Sequence, residues 1–299
     1  MAAPANASTS VDINFALDQE AVMNFNGEYD RLANILGIFG VETMPAGYTL
    51  NQLKVTGTLN DSKTDDSSSG DAYVEGDLVA LSKFMAEKVP VGTIKFTPYR
   101  KQVTAQAILE SGYEAAVLRT DAKMLSKARS GVLAKFFKFL ENGTGTASGT
   151  GLQAALANVD AALGDALEAN DDEGQRIVHF INRQDAAKYL GEATITDQSV
   201  FGMTYLQNFL GVADVFLTSK VPAGTIYATP VENIHVYGMD FGALASAGLS
   251  YTQDSNGLIG VAHESGYDHA SAIANLAVGA LFFPEVTDYI IKGTVAAKA

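Results

Sequence analysis

A long polar excursion between two strand-like arms constrains this chain more than any other feature. The excursion covers residues 48–98, and its tip, residues 60–71, contains no large apolar residue. The arms carry apolar residues typical of strands: Leu50, Leu53 and Val55 before the tip, and Val89, Ile94 and Phe96 after it. An isolated two-stranded hairpin is marginally stable in water, because it has little core of its own. We therefore expect the hairpin to lie on another copy of the chain, which favours an assembly subunit over a self-contained enzyme.

The charge balance argues against a protein that coats nucleic acid. The 299 residues carry a formal net charge of −14, whereas neutralising phosphates requires exposed lysine and arginine. The chain contains no cysteine, so disulfides, thiolate nucleophiles and cysteine-type metal sites are excluded. Residues 1–6 lack the pattern of a signal peptide, and no apolar run reaches the length of about 18 residues that would indicate a membrane span. We expect one large domain or two smaller ones, and no membrane segment.

Residues 104–140 predict a long amphipathic helix. Its apolar sector contains Leu118, Asp121, Ala122, Leu125, Ala128, Val132, Phe136 and Leu140. Lys123, Lys127 and Lys138 project from the opposite side. Arg129 falls on the apolar sector, where it would either extend its charged end to the surface or form an ion pair between subunits. Gly112 divides the pattern, so a start nearer Tyr113 stays open.

This helix forms a basic strip in an acidic protein. Residues 101–142 contain seven basic and four acidic side chains. We interpret the strip as a docking surface for acidic parts of neighbouring copies, and an ordinary solvated helix face is the alternative. The candidate intersubunit contacts are Lys63, Asp65, Asp66 and Asp71 in the hairpin tip, and Lys123, Lys127, Arg129 and Lys138 in the helix.

The second half of the chain alternates helices and strands, which favours an α/β layer. Helices are predicted for residues 152–167 and 184–190, and strands for residues 176–181, 258–262 and 289–291. Residues 143–151 predict a flexible glycine-rich connector with no phosphate-loop pattern. Residues 274–283 are apolar enough for either a buried strand or a buried helix.

One short sequence occurs twice. The sequence KVPVGT at residues 88–93 is echoed by KVPAGT at residues 220–225. Proline followed two residues later by glycine suits a type I turn, so we expect a turn feeding a strand at both places.

The sequence offers no constellation for catalysis or cofactor binding. His263, Glu264, Asp268 and His269 cluster in sequence, but their spacing matches no zinc pattern, and we interpret them as part of a polar turn between two strands. His179 lies in an apolar strand and is interpreted as a core histidine with its hydrogen bonds satisfied. We therefore expect no catalytic residue, no metal ligand and no cofactor, and we do not expect an enzyme.

A short N-terminal arm is followed by the extended hairpin, which includes the segment EGDLVALS (75–82). The next segments are IKFTPYRK (94–101) and AILESGYEAAV (107–117), and then VHFIN (178–182), VFLTS (215–219) and VPAGT (221–225). In the order of these parts, the chain resembles the major capsid protein of tailed bacteriophages, with the Hong Kong 97-type fold, in the form found in phages of Gram-positive hosts. The resemblance covers roughly residues 30–293.

The resemblance implies an α+β fold of the Hong Kong 97 type. Its parts would be an N-terminal arm, an extended β-hairpin called the E-loop, a peripheral P-domain with a long spine helix, and an α/β axial A-domain. By likeness, the arm covers residues 1–40, the E-loop 41–98, the P-domain 99–148 and 232–273, and the A-domain 149–231 and 274–299. Some members join lysine and asparagine side chains between subunits. Lys63 and Asn256 have the right chemistry, and nothing in the sequence establishes that pairing.

The function implied is that of a major capsid protein. It would assemble through pentamers and hexamers into an icosahedral shell enclosing double-stranded DNA, without sequence-specific binding. The expected partners are further copies of the chain, a separate scaffolding protein and a portal; scaffolding is expected to be separate because few residues precede the hairpin. The protein would be found in the virion after assembly in the host cytoplasm. A tail-tube subunit and a cell-envelope binding module are the alternatives, although tubes are mostly β and an envelope module needs an export signal.

Overall fold

The chain divides into a small unit and a large one. The computed structural model describes residues 30–45, 47–60, 74–76, 80–170, 172, 174–192, 205–209, 212–254 and 256–297. The smaller unit is Gly47–Thr93, and the larger one is formed by Met1–Ala46 together with Ile94–Ala299. No helix in these described ranges is long and apolar enough to cross a membrane.

The helices of the described residues all belong to the larger unit. They are α1 (Asp30–Phe39), α2 (Ala105–Ser111), α3 (Arg119–Leu140), α4 (Leu152–Glu168) and α5 (Arg183–Glu192). A π-helical turn, Glu114–Leu118, leads directly into α3. Thr104 caps α2 by accepting a hydrogen bond from the Ala107 amide, and Gly112 ends α2 with a φ of 79°. The predicted long helix is therefore confirmed as two helices divided at Gly112, because that φ suits glycine and interrupts the helical course.

The strands of the described residues form three sheets. They are β1 (Val41–Pro45), β2 (Thr49–Thr58), β3 (Lys83–Thr93), β4 (Phe96–Thr104), β5 (Gly145–Thr150), β6 (Ile177–Asn182), β7 (Tyr205–Phe209), β8 (Val212–Thr218), β9 (Thr225–Pro230), β10 (Ile234–Asp240), β11 (Thr252–Gln253), β12 (Ile259–Gly266), β13 (Ser271–Pro284) and β14 (Ile291–Ala296). β2 and β3 make up the two-stranded sheet of the smaller unit.

The first sheet of the larger unit is organised around β13. Its strand order is β1-β10-β13-β12-β11, with β4 also paired to β13. The amino-terminal half of β13 lies antiparallel between β4 and β12, and its carboxyl-terminal half pairs with β10. Residues 274–283 thus form a buried strand rather than a buried helix, because strands on both sides pair with them.

The second sheet is mixed and has the order β5-β14-β9-β6-β8-β7. β6 lies near its centre, parallel to β8 and antiparallel to β9. Val178 and Phe180 face the core around α3, whereas Ile181 faces the core around α4. Helices therefore cover both faces of this sheet, as predicted for an α/β layer.

Helix α3 joins the two sheets through an aromatic core. Phe136 is fully buried, and its ring centroid lies 5.6 Å from that of Phe39, 5.8 Å from that of Phe180 and 5.4 Å from that of Phe282. The same apolar cluster includes residues from both sheets, such as Phe216 of the second and Leu276 of the first. Burial of this stripe fixes α3 across the larger unit.

Two of the sequence predictions for loops are wrong. Residues 145–150 are not a flexible connector, because they pair in parallel with β14 as strand β5. The motif at residues 88–93 is not a turn, because it lies within β3, where an irregularity in register places Asn51 opposite Pro90. A bulge tolerates a proline that cannot donate to the ladder. The second copy of the motif is a turn, closed by a bond of 3.1 Å from the Thr225 amide to the Pro222 carbonyl.

Candidate assembly surfaces

The hairpin of β2 and β3 presents an exposed apolar face. Strand register places Val55 opposite Ala86 and Gly57 opposite Phe84. Since paired residues point to the same side, Leu53, Val55, Phe84 and Ala86 share one face, which we call the hairpin face. Leu53, Val55 and Phe84 are each about 60% exposed, at 63%, 59% and 59%. A ribbon with this much exposed apolar surface gains stability when another surface covers it.

Glycine shapes the hairpin face at one point. A Cβ atom on Gly57 would clash with the ring of Phe84 on the opposite strand. The ring therefore covers Gly57, which compensates for the side chain that glycine lacks in the middle of a strand. The apolar side chains of the hairpin face are therefore neighbours across the two strands, and Lys88, opposite Leu53, borders them at one end.

Helix α3 presents the second surface. The predicted apolar sector is buried from Asp121 to Leu140 with the exception of Ala122, which is exposed, and the lysines 123, 127 and 138 are exposed as predicted. Arg129, on the predicted apolar sector, is half-buried. The amphipathic pattern thus places the basic strip on the surface of the molecule.

A groove accompanies this basic strip. It has a volume of about 410 Å³ and lies between α3 and strands β4 and β13. Its walls include Lys123, Met124 and Lys127 from the helix, and Tyr99 and Leu276 from the strands. Two lysines beside an apolar floor form a site suited to an acidic segment that also carries an apolar side chain.

A buried ion triad lies at one end of the groove. Register places Lys101 of β4, Ala274 of β13 and His263 of β12 in one row across the first sheet. Asp121 of α3 lies over this row, with one carboxylate oxygen paired to the Lys101 ammonium and the other 3.3 Å from His263 Nε2. The side chains of Lys101, Asp121 and His263 are 18%, 9% and 8% exposed. The small Ala274 leaves room for the carboxylate between the two partners.

The structure brings together only part of the predicted contact set. Lys123 and Lys127 line the same groove, while Lys138 lies in the last turn of α3 and does not line it. The tip candidates Lys63, Asp65, Asp66 and Asp71 lie outside the described residues. Sequence reasoning missed the triad, because its members are far apart in the chain and only the register of β4, β13 and β12 aligns them.

The remaining predicted polar residues occupy separate places. His263 is not part of a turn, as the sequence suggested, but lies in β12, and the turn comes later at Tyr267–His269. His269 and Asp268 are both exposed, with 3.8 Å between Nε2 and Oδ2. The described part of the chain holds no group of three or more histidine, aspartate or glutamate side chains placed to bind a metal.

His179 is buried in the core, as predicted, but its hydrogen bonding is weaker than expected. Its ring is fully buried, and Nε2 lies 3.5 Å from Asp160 Oδ1 on α4, which is longer than a hydrogen bond of good geometry. This imidazole lowers the pKa of Asp160 below its usual value, chiefly through their polar contact and against the effect of burial. The pair links β6 to α4 and takes no part in the surfaces above.

No protein-family model and no curated protein matches this sequence. Solved structures do match it, at low sequence identity. The capsid of the native GTA particle aligns with a TM-score of 0.54 and 11% identity, covering 86% of this chain and 89% of that one. The capsid of cyanophage A-1(L) aligns with a TM-score of 0.53 and 13% identity, covering 88% and 92%.

A third similar structure is the SrpI encapsulin of Synechococcus elongatus, solved as a holo-complex. It aligns with a TM-score of 0.51 and 13% identity, and the alignment covers 87% of each chain. The three alignments each span most of both chains, so they concern the whole architecture rather than one motif. The chain therefore has the α+β fold of these shell proteins, the Hong Kong 97-type capsid fold.

Proposed function

We propose that this chain is a major capsid protein, many copies of which form an icosahedral shell around double-stranded DNA. The observation that carries the proposal is the hairpin face, an exposed apolar strip on a two-stranded unit within a shell-type fold. A second copy of the chain that covers this strip would supply the missing core. The protein would thus have a structural role and would not be an enzyme.

The proposed assembly proceeds through pentamers and hexamers. In these rings the hairpin of one subunit would lie on helix α3 of a neighbour, where the basic strip and its groove would receive the acidic tip. A separate scaffolding protein and a portal would complete the particle, which would be assembled in the host cytoplasm and end in the virion. The net charge of −14 suits an inner wall that encloses DNA without binding it strongly.

We also propose a correspondence between the sheets and the two domains of the family. The P-domain would contain α3 and the first sheet, and the A-domain would contain α4, α5 and the second sheet. The resemblance implied that residues 274–299 belong to the A-domain. Strand β13 instead supports a P-domain that extends through residue 284, since β13 pairs with β4, β12 and β10. Strand β14 supports placing the last part of the chain with the A-domain, since it pairs with β5 and β9.

Deletion of the hairpin tip tests the proposal. Removing residues 58–73 should leave a folded chain, because the larger unit has its own core, but should prevent closed shells. Sedimentation velocity and electron microscopy of the purified full chain and of the deletion variant measure this. The matched control replaces residues 61–71 with a glycine-serine segment of equal length, which preserves chain length and removes the charged side chains together with Thr64.

Three outcomes separate the possibilities. Rings or shells from the full chain, and only folded small species from the deletion variant, would support both the function and the overlap of subunits. Normal shells from the deletion variant would refute the overlap. A full chain that stays monomeric at high concentration, and that gains thermal stability with a small ligand, would overturn the shell proposal in favour of a binding module.

A further inference from the structure

The start of helix α3 contains a π-helical turn with an unusual set of partners. In Glu114–Leu118 the amide of Arg119 bonds to the carbonyl of Glu114, five residues earlier. The carboxylate of Glu114 also lies 3.4 Å from the Arg119 guanidinium, a pairing that suits the π-helical spacing. A π-turn holds one residue more than an α-helical turn and is uncommon, and such turns are frequent at functional sites. Something in the surrounding structure must therefore favour it.

Lys101 stabilises this turn from strand β4. Its ammonium donates to the carbonyl of Val117, at 3.1 Å, and to the hydroxyl of Thr120, at 2.7 Å. The Thr120 hydroxyl in turn donates towards the Val117 and Ala116 carbonyls, at 2.9 and 2.8 Å. These bonds provide donors for backbone carbonyl groups at the point where the regular hydrogen-bond pattern of the α-helix is interrupted.

The triad fixes the position of Lys101. Asp121 pairs with the Lys101 ammonium, and His263 holds the other carboxylate oxygen. These three side chains are largely shielded from water, so loss of one partner leaves a poorly solvated charge. The Val117 side chain beside them is only 2% exposed, so the turn is also anchored in the core.

We propose that Lys101, Asp121 and His263 form a latch that holds the π-turn and so sets the direction of helix α2. When the latch is released, the π-turn converts to a regular α-helical turn. Removing one residue from the turn rotates the helix path back to Gly112 by about 100° around the helix axis and shifts it by about 1.5 Å, while β4 stays paired in the first sheet. Gly112, at a φ of 79°, is the joint across which α2 would reorient.

The latch would control which surface α2 presents. Leu109 on α2 and Tyr267 in the turn after β12 are each 86% exposed. The two elements lie at the same end of the first sheet, where the Ala105 amide bonds to the Ala270 carbonyl at 2.7 Å. Reorientation of α2 would move Leu109 relative to Tyr267. Any effect of this reorientation on contacts between subunits rests on the proposed function. The latch itself lies within one chain and does not depend on assembly.

Spin labels at Leu109 and Tyr267 test the latch in the unassembled full chain. The chain contains no cysteine, so L109C and Y267C introduce two unique labelling sites. With the latch intact, pulsed electron paramagnetic resonance should give one narrow distance distribution. K101M and D121N should each move or broaden that distribution by about 3 Å or more, as expected for rotation about a helix axis.

Lys135 supplies the matched control. Its ammonium also reaches from α3 to β4, donating to the Thr97 hydroxyl at 3.1 Å, but it lies far from the π-turn in sequence. K135M should therefore leave the label distance unchanged. Unchanged distances in both K101M and D121N, with circular dichroism of a folded protein, would overturn the latch.

Hydrogen exchange of the unmodified chain keeps the proposal testable if both latch variants fail to fold. The Arg119 amide should exchange through local opening, at least tenfold faster than the Val132 amide in the buried middle of α3. Exchange of both amides at one common rate would show that the turn opens only with global unfolding, and would also overturn the proposal. Shell assembly is measured separately, so failure of the proposed function would leave these results unaffected.

Discussion

Phe136 lies at the centre of the aromatic contacts in the core of the larger unit. It is fully buried and contacts aromatic rings from α1, β6 and β13. F136A should lower the free energy of unfolding by about 3–5 kcal/mol, since it removes a large side chain and leaves a cavity. Urea denaturation of the unassembled protein measures this.

Phe84 provides the comparison for that substitution. It is 59% exposed on the hairpin, so F84A should change the stability of the chain by no more than about 0.5 kcal/mol. The same variant should weaken assembly, because the hairpin face loses its largest side chain. Equal destabilisation by F84A and F136A would contradict this division between core and contact residues.

Tyr289 makes the free energy of unfolding depend on pH in the alkaline range. It is 3% exposed, and its hydroxyl donates to Asp172 at 2.6 Å. Burial, and then the hydrogen bond and charge of Asp172, raise its pKa from 10.0 to about 12. The folded state therefore favours the protonated phenol. The stability that the protonated phenol confers is fully present below pH 10 and is lost as the pH rises towards about 12.

Phenylalanine at position 289 separates that contribution from general alkaline unfolding. Y289F should be about 1 kcal/mol less stable than the natural chain at pH 8, because one hydrogen bond is lost. Between pH 10 and 12 it should lose less stability than the natural chain does. Y99F, at a tyrosine that is 47% exposed, should keep the natural pH profile. Parallel profiles for Y289F and the natural chain would exclude Tyr289 as the cause.

Single residues also mark the limit of what the sequence predicts. The apolar sector of α3 was predictable, because its spacing is helical and its residues are large. Asp121 belonged to that sector, yet the reason for a carboxylate there came only from Lys101 and His263. The row that unites these partners depends on the register of three strands, which no local pattern specifies.

At the scale of elements, the contact between β5 and α4 depends on glycine. A Cβ atom on Gly149 would clash with the backbone nitrogen of Ala155 in the first turns of α4. G149A should therefore force the helix away from the sheet and lower the free energy of unfolding by about 2 kcal/mol or more. A change in the urea midpoint of the unassembled protein measures the effect.

Gly164 is the matched control in the same layer. It lies exposed on α4, and a Cβ atom there would meet nothing within 4 Å. G164A should stabilise the protein by about 0.5–1 kcal/mol, because alanine is the better helix former. The two glycine-to-alanine changes should thus have opposite signs, and equal signs would contradict the close approach at Gly149.

Some helices and strands could be predicted from the sequence, and others could not. Helices α4 and α5 and strand β6 were predicted close to their observed bounds. The sequence signal was clearest for α4, which has a helical apolar period, and for β6, which is a short and nearly continuous apolar run. Strand β5 was missed because Gly-Thr-Ala-Ser-Gly-Thr has no large apolar side chain, so its strand form comes from pairing with β14. The motif around Pro90 was assigned as a turn because local turn chemistry gave no sign of the bulge that accommodates it.

At the scale of the whole molecule, apolar and charged surfaces are divided between separate parts of the chain. The hairpin offers an apolar face, whereas α3 offers exposed lysines beside a groove with an apolar floor. The chain as a whole is strongly acidic, so like copies repel one another in the absence of specific contacts. Assembly would then depend on the few places where opposite charges and apolar surfaces meet.

A charge swap tests whether the basic strip is one of these places. Each exposed ion pair contributes at most about 1 kcal/mol, but every subunit of a shell would repeat the contact. K123E combined with K127E should therefore abolish shells while leaving the chain folded. Adding D65K and D66K in the hairpin tip should restore them, because the charges are then exchanged between the two surfaces.

The matched control reverses two exposed lysines elsewhere, Lys188 on α5 and Lys292 on β14. K188E with K292E changes the net charge by the same amount, so shells from this variant would exclude a general effect of added negative charge. Electron microscopy and sedimentation at several salt concentrations measure the outcome, and the natural shells should weaken as salt screens the contact. Normal shells from K123E with K127E would show that the strip is only a solvated helix face. Loss of shells without rescue by the tip lysines would show that the strip binds something other than the hairpin tip.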